Sequence, residues 1–297
     1  MWQIGSSFQP DFMRHALCAG VVMAAICSFL GVYVVLRRMA FVGVALAEMS
    51  SAGVALALLV GIAPMAGALA LMLLAVVLLS VRWSPKRVPQ ESYIGVGYAV
   101  AVALGILLIA KSAQGEAHML QLLYGNVLTV SPRETGQMVA VFAAVALVHW
   151  LFAKEFLLVS FDRDYADTLG LHSRRWQTLL NLTLGVVIAF AIRSVGMLLT
   201  FSMLVLPAVA ALLVTNRMRH AWLVAPIFGI VPVVLGLHLS LQADLPAAAA
   251  IVALSFVLML LAVAVRMVAT RGRLGAIPTP DASRPAGTPA RSSRLPG

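Results

Sequence analysis

Long apolar stretches separated by short polar ones dominate this chain. Nine of them approach or exceed the roughly 20 residues that an α-helix needs to cross a lipid bilayer. Their apolar residues are continuous rather than alternating, which is typical of helices and not of half-buried strands. The pattern therefore predicts nine spanning helices, at residues 15–36, 41–62, 64–81, 93–110, 135–153, 176–192, 195–214, 221–239 and 246–265.

The composition excludes an ordinary water-soluble domain. Of the 297 residues, 62% are hydrophobic and only 11% are charged. A soluble protein of this size lacks the buried volume to hide so much apolar surface. In lipid, every backbone polar group must be paired within the protein, so long apolar runs form helices. We therefore predict an all-α, polytopic membrane protein surrounded by the lipid bilayer.

The polar residues between the runs predict the number and orientation of the spans. Ala63 and Pro64 mark a tight hairpin between the second and third runs, and Arg193 and Ser194 separate the sixth from the seventh. Because either pair of runs could form one kinked helix, the number of spans is about nine. With the N-terminus outside, most of the 21 Lys and Arg residues fall on the inner side. The positive-inside rule therefore predicts an outer N-terminus and an inner C-terminus.

Three regions follow from this topology. Residues 1–14 form a short outer N-terminus, residues 15–266 the transmembrane domain, and residues 267–297 a cytosolic tail. Beyond Gly275 the tail consists mainly of Pro, Ser, Arg, Ala and Gly without periodicity, which predicts disorder.

The net charge of +10 does not indicate nucleic-acid binding, because the basic residues lie between apolar runs rather than on one polar face.

One acidic residue, Glu48, lies well inside a predicted span. A carboxylate in hydrocarbon costs several kcal/mol, so we expect Glu48 to face other helices or a wet cavity. Small residues recur every four positions beside it and allow another helix to approach closely. Glu48 and Ser51 are therefore candidate ligands for a cation on a translocation path. The alternative is a protonated Glu48 that hydrogen-bonds across helices. The small residues are Gly43, Ala47, Ser51 and Ala55.

Four further residues are candidate cation ligands on the outer side. His238 and Asp244 flank the outer end of the eighth run, and Glu116 and His118 lie in the loop after the fourth. Each alone is more often an ordinary interfacial residue. The chain has no HxxxH or CxxC motif, so no closed, high-affinity zinc site is expected.

The inner segment 156–175 predicts a short helix on the cytosolic side. Asp162 is placed to cap it, Asp164 lies favourably in its first turn, and Gly170 is placed to end it. Asp167 and Ala166 lie within the segment. Such a helix suits the transmission of force from a soluble motor, although a solvated loop fits equally well.

No nucleotide-binding motif is present, so the chain is not its own ATPase and no enzymatic activity is expected. Either a partner supplies energy or an ion gradient does. A gradient-driven secondary transporter would need titratable pairs within its spans. A non-transporting membrane scaffold would have no reason to place an acid beside a stripe of small residues.

Five segments resemble the permease subunits of the bacterial zinc/manganese/iron ABC importer family, in the right order along the chain. The family's intramembrane motif reads Gly-Asp-x-Leu-x-His, and its Asp and His correspond here to Val44 and Glu48. One ligand is lost and the other is a carboxylate, a harder donor that suits Mn²⁺ or Fe²⁺ better than Zn²⁺. The alternatives are that this branch moves a different ion or has lost this site. The segments are LRRMAFVGVALAEMSSAG (36–53), LYGNVLTVS (123–131), DYADTLGL (164–171), VGMLLTFSMLVLPAVAALLV (195–214) and SLQADLP (240–246).

The resemblance implies a function and a set of partners. It implies a multi-pass permease of the bacterial inner membrane that imports a divalent transition-metal ion as its substrate and holds no permanent cofactor. It also implies a second permease copy, a cytosolic ABC ATPase and a periplasmic or lipid-anchored metal-binding protein. The ATPase would couple through Asp162, Asp164, Ala166, Asp167 and Gly170.

Overall fold

The computed structural model describes residues 11–80, 90–111, 130–215 and 217–274, and these residues form helices without strands. The chain is an all-helical membrane protein, as its sequence predicted. The helices are α1 (Asp11–Leu36), α2 (Ala40–Val60), α3 (Pro64–Ser80), α4 (Gln90–Ala110), α5 (Pro132–Leu151), α6 (Ala153–Phe161), α7 (Arg163–Thr168), α8 (Ser173–Val195), α9 (Met197–Val214), α10 (Met218–Ala243) and α11 (Ala247–Leu274).

Every predicted apolar run corresponds to one helix. Among the described residues, seven helices are long and apolar enough to cross a membrane: α1, α2, α5, α8, α9, α10 and α11. The apolar parts of the other two, Pro64–Leu79 in α3 and Ser92–Leu108 in α4, are shorter. Helix α11 continues to Leu274, past the end of the predicted transmembrane domain.

Glycines determine where the chain breaks between α2 and α3 and between α8 and α9. Gly61 ends α2 in the left-handed conformation (φ 76°), and Pro64 begins α3, which confirms the tight hairpin. The break between α8 and α9 was predicted at Arg193 and Ser194 and is instead at Gly196. Both residues continue α8, and the chain turns at Gly196 because its φ of 89° is accessible mainly to glycine.

Two groups of tightly packed helices build the bundle. In the first, α1 packs against α9 and α10, and both of these pack against α11. A Cβ at Gly31 of α1 would lie 1.9 Å from the carbonyl oxygen of Leu204 in α9, so the two backbones are in contact. In the second, α2 packs against α3 and α4, and a Cβ at Gly53 would lie 2.2 Å from the carbonyl oxygen of Gly67. Such close approach is typical of small residues in membrane helices.

Helix α8 connects the two groups. It contacts α2 and α3 on one side and α1, α5 and α9 on the other. The two short helices α6 and α7 also pack against the start of α8, near residue 173. The predicted path residue on α2 and the predicted coupling segment are therefore joined through one long helix.

Candidate functional site

Glu48 lies in the middle of α2, at the edge of the packed interior. Its side chain is half-buried, and so are those of Val44 and Ser51, which lie on the same side of the helix four residues before it and three after. Leu46 and Ala52 are fully buried. The chain alone therefore leaves a partly open stripe along one side of α2, with the Glu48 carboxylate at its centre.

The predicted small residues allow other helices to approach α2 closely. A Cβ at Gly43 would lie 2.9 Å from the side chain of Leu204 in α9, so this end of the helix packs tightly against α9. Ala47 and Ala55 are buried, whereas Ser51 is only half-buried. The small residues therefore pack α2 into the bundle, and Ser51 borders the open stripe.

The residues predicted at the outer side lie in different surroundings. His238 is fully buried within α10, whereas Asp244 is exposed and ends that helix in the left-handed conformation (φ 51°). The hydroxyl of Ser240 donates a hydrogen bond to the carbonyl oxygen of Leu245 (2.6 Å) and fixes this turn. Glu116 and His118 lie outside the described residues, in 112–129.

No ready-made metal site is visible in the described part of the chain. Nowhere among these residues do three or more His, Cys, Asp or Glu side chains come together as a possible metal-binding group. A path through Glu48 therefore needs further ligands from outside the described residues or from another chain.

The predicted coupling segment forms a capped helix. The carboxylate of Asp162 accepts a hydrogen bond from the backbone N–H of Tyr165 (2.9 Å) and caps α7, as predicted. The chain turns after α7 at Gly170 (φ 80°). Asp164 lies in the first turn and is exposed. The segment is therefore a helix and not a solvated loop.

Asp167 and Ala166 hold α7 against the bundle. The Asp167 carboxylate accepts hydrogen bonds from the backbone N–H (2.8 Å) and the hydroxyl (2.9 Å) of Ser173, the first residue of α8. Ala166 is fully buried, whereas Tyr165 and Leu169 are 54% and 57% exposed. Helix α7 thus keeps one side on the bundle, and Tyr165 within it and Leu169 directly after it point outwards.

A half-buried arginine, Arg37, connects four elements at this end of the bundle. It follows α1, and its guanidinium donates to the Ser160 hydroxyl (2.8 Å) and the Phe156 carbonyl oxygen (3.5 Å) in α6. It also donates to Oε1 of Gln177 in α8. Arg163, at the start of α7, donates to the same oxygen (3.1 Å). We call these five residues the Arg37 network.

The Arg37 network combines two positive charges, Arg37 and Arg163, with neutral acceptors. Burial first, and then the nearby charge of Arg163, lower the pKa of Arg37 to about 10, against an opposing effect of Tyr33. Gln177 extends the network by donating to Asn181 Oδ1 (3.2 Å) and to the sulfur of Met39 (3.3 Å), just before α2. Arg37 is thus solvated by the protein rather than neutralised by it.

Aromatic side chains pack beside the Arg37 network. The His149 ring stacks on Phe156 at a centroid distance of 4.5 Å, and its Nδ1 donates to the carbonyl oxygen of Val145 (3.0 Å). Tyr33 stacks on Trp222 (5.3 Å) and lies 5.6 Å from His149. This cluster joins α1, α5, α6 and α10 and gives Arg37 a rigid support.

The sequence interpretation missed the Arg37 network because it treated Arg37 only as a topology signal. Spacing would have distinguished it from its neighbour. Phe29, Tyr33 and Arg37 recur every four residues and share one side of α1, whereas Arg38 does not. Gln177 and Asn181 have the same spacing inside an apolar run, which indicates a polar partner for them in the bundle.

Comparison with known proteins gives the chain its family. The sequence pattern of a protein family described as the ABC 3 transport family matches residues 9–266, which is most of the chain. The chain belongs to the ABC 3 transport family. The resemblance predicted from its five segments is thereby confirmed, and the multi-pass architecture is that of a bacterial ABC transporter permease.

Individual relatives of this ABC 3 family member cover nearly its whole length. It is 30% identical over 252 residues to the manganese transport system membrane protein MntC of Halalkalibacterium halodurans, covering 85% of this chain and 86% of the relative. It is 27% identical to the chelated iron transport system membrane protein YfeD of Yersinia pestis, with 81% of each chain covered. Among solved structures it is similar to PsaBC from Streptococcus pneumoniae in complex with Fab, with 28% identity, a TM-score of 0.78 and coverage of 88% and 94%.

Proposed function

We propose that this chain is the membrane permease of an ATP-driven importer for a divalent transition-metal ion, with manganese and iron ahead of zinc. The match to the ABC 3 transport family over residues 9–266 carries this proposal. Relatives named for manganese and chelated-iron transport support the choice of ion. The carboxylate of Glu48 agrees with it, since oxygen donors suit Mn²⁺ and Fe²⁺ better than Zn²⁺.

In this proposal the ion passes along the open stripe of α2. A half-buried carboxylate in the middle of a membrane helix is costly against lipid and is expected to face protein or water. A second copy of the chain, related by two-fold symmetry, would cover the stripe and bring a second Glu48 towards the first. Two carboxylates and Ser51 then bind the cation between the copies.

The energy comes from a separate cytosolic ATPase that docks on α7. Tyr165 and Leu169 are exposed there, and aromatic and aliphatic side chains of this kind anchor interfaces. Asp162, Asp167 and Gly170 support this role by fixing the ends of the helix and its turn. The chain itself then hydrolyses no ATP.

The proposed topology has nine spans in the bacterial inner membrane, with the N-terminus outside and the C-terminus inside. In the described part of the chain a helix lies at each of the nine apolar runs, which supports this topology, and α7 then lies on the cytosolic side with Arg37. A periplasmic or lipid-anchored metal-binding protein would deliver the ion on the opposite side. It would dock near Asp244, which is exposed, and near Glu116 and His118.

Metal uptake tests the path. The permease and its ATPase are reconstituted in liposomes with Mn²⁺, Fe²⁺ or Zn²⁺ and the metal-binding protein. Glu48→Gln is expected to lower uptake by about tenfold or more, because the neutral amide replaces an ionic ligand. Glu134→Gln makes the same chemical change at an end of α5 and is expected to transport normally. Unchanged uptake in Glu48→Gln would remove Glu48 from the path.

Copurification tests the coupling. Leu169→Glu places a charge on the exposed side of α7 and is expected to weaken ATPase binding by about tenfold or more. Leu245→Glu makes the same change on an exposed side chain in the turn between α10 and α11, outside both helices, and is the matched control. Full ATPase recovery with Leu169→Glu would show that the motor docks elsewhere.

A further inference from the structure

The Arg37 network joins the coupling segment to the helix that carries Glu48. On one side, Arg37 donates to Ser160 and Phe156 of α6, the helix just before α7. On the other side, only residues 38 and 39 separate Arg37 from α2. Glu48 then lies about 12 Å further along that helix, at the usual rise per residue. A short, continuous set of contacts thus runs from α7 to Glu48.

Arg37 and the first residue of α7 share one hydrogen-bond acceptor. Oε1 of Gln177 accepts from Arg37 and from Arg163, the first residue of α7. Any displacement of α7 that removes Arg163 leaves this oxygen to Arg37 alone, and the reverse movement restores the competition. The Gln177 amide also contacts Met39 (3.3 Å), so the turn before α2 responds to the same side chain.

The composition of the Arg37 network does not suit a purely stabilising role. The half-buried guanidinium donates to neutral oxygens, and its pKa is lowered to about 10, so the folded protein disfavours the charged form. Well-packed apolar side chains often stabilise a protein as well as or better than a buried charged group. A planar group with several fixed donors has another use, because it sets the relative positions of the helices that carry its acceptors.

We propose that Arg37 is a positioning residue that transmits the displacement of α6 and α7 to the turn before α2. When the ATPase moves α7, the exchange of donors on Gln177 shifts Arg37 and rotates or translates the start of α2. This inference rests on the proposed function, because it assigns a transmission route to the same transporter. The inference adds Arg37 and its route of transmission to the proposed function.

Transport stoichiometry is the first test. Arg37→Gln, Arg37→Lys and Arg38→Gln are reconstituted with the ATPase, and metal ions imported per ATP hydrolysed are measured. We expect the ratio to fall about tenfold in Arg37→Gln, with hydrolysis kept within about twofold. The ratio should also fall in Arg37→Lys, because an ammonium group lacks the several fixed donors of a guanidinium. Arg38 is exposed, so Arg38→Gln should match the wild type.

A structural role is distinguished by the same measurement. If Arg37 only held the fold together, uptake and hydrolysis would fall in parallel with the amount of folded complex, and their ratio would be unchanged. That result, or a normal ratio with a normal yield, would overturn the inference.

A second test does not depend on the transported ion. A spin label is attached to Phe41→Cys, at the exposed start of α2, in a Cys18→Ala background, and Cys27 is buried and protected. ATP binding should change the label's mobility in the wild-type network and leave it unchanged with Arg37→Gln. An equal response in both would overturn the inference. A wild-type response without uptake of any metal would count against the proposed ion and support the transmission route.

Discussion

Two arginines at opposite ends of α8 show that the two ends of this bundle are held together differently. At the start of the helix, Gln177 binds the half-buried Arg37, which reaches α6 and α8 through neutral oxygens. Near its end, Arg193 is 41% exposed and pairs with Glu134 of α5, which is 33% exposed, at 3.3 Å. One end holds an unneutralised charge within protein, and the other has an ordinary ion pair in contact with solvent.

The charge at each end does not by itself determine how strongly that end is held. An exposed ion pair contributes little, because water and salt screen the attraction and both side chains lose freedom. A guanidinium packed against protein loses part of its water, so removing one of its acceptors leaves a desolvation penalty. The Arg37 end is therefore expected to be sensitive to single changes, and the Arg193 end tolerant of them.

The largest expected effect is at Phe156, the aromatic support of the Arg37 network. Phe156 is fully buried, stacks on His149 and lies 5.4 Å from Trp176. Phe156→Ala is expected to destabilise the protein by about 3–5 kcal/mol, because it leaves a cavity. Thermal unfolding in detergent measures the loss. Phe161→Ala, in the same helix but 64% exposed, is the control, and equal losses would contradict the comparison.

Gln177→Leu is expected to have the next largest effect. It removes the oxygen that accepts from both Arg37 and Arg163 and keeps the side-chain volume similar. The loss should be about 1.5–3 kcal/mol, as is usual for hydrogen bonds to charged groups. Chemical denaturation of the purified protein measures it. Gln137→Leu, an exposed residue of α5, should be neutral, and the comparison would fail if it were equally damaging.

Asp167→Ala is expected to have a smaller effect at the same end. The carboxylate accepts two hydrogen bonds from Ser173 at the start of α8, and losing such a cap costs about 1 kcal/mol. Amide hydrogen exchange of the first turn of α8 should increase, while that of α9 stays unchanged. Asp164→Ala is the control, because Asp164 lies exposed in the first turn of α7. Unchanged exchange in Asp167→Ala would exclude this capping role.

The bundle itself was largely predictable from the sequence, because its helices follow from length and hydropathy alone. Each apolar run corresponds to a helix, and Asp162 caps α7 as its position suggested. Boundaries were less certain where the hydrophobic signal is continuous. The break at Gly196 lies inside the seventh predicted run, and its backbone conformation, not its hydropathy, identifies it.

The environment of each charge was not predictable from the same pattern. Arg37 and Arg38 are adjacent and chemically identical, yet one is half-buried among acceptors and the other is exposed. Which one turns inward depends on where α6 and α8 lie, and that is set by tertiary packing between residues more than 100 positions apart. Likewise, the position of Glu48 in the sequence placed it inside a span but did not determine how deeply its side chain is buried by the rest of the chain.

The smallest expected effect is at the ion pair between Arg193 and Glu134. Arg193→Gln should change the free energy of unfolding by about 0.2–1 kcal/mol, because both side chains are in contact with solvent. The effect should disappear as salt is raised towards 1 M, where the screening length falls to about 3 Å. Unfolding of Arg193→Gln, Glu134→Gln and the double variant, each at low and high salt, isolates the pair energy. If the pair energy of Arg193 and Glu134 were about 2 kcal/mol and did not change with salt, this end would also be held by a desolvated charge. The contrast with Arg37 would then be lost.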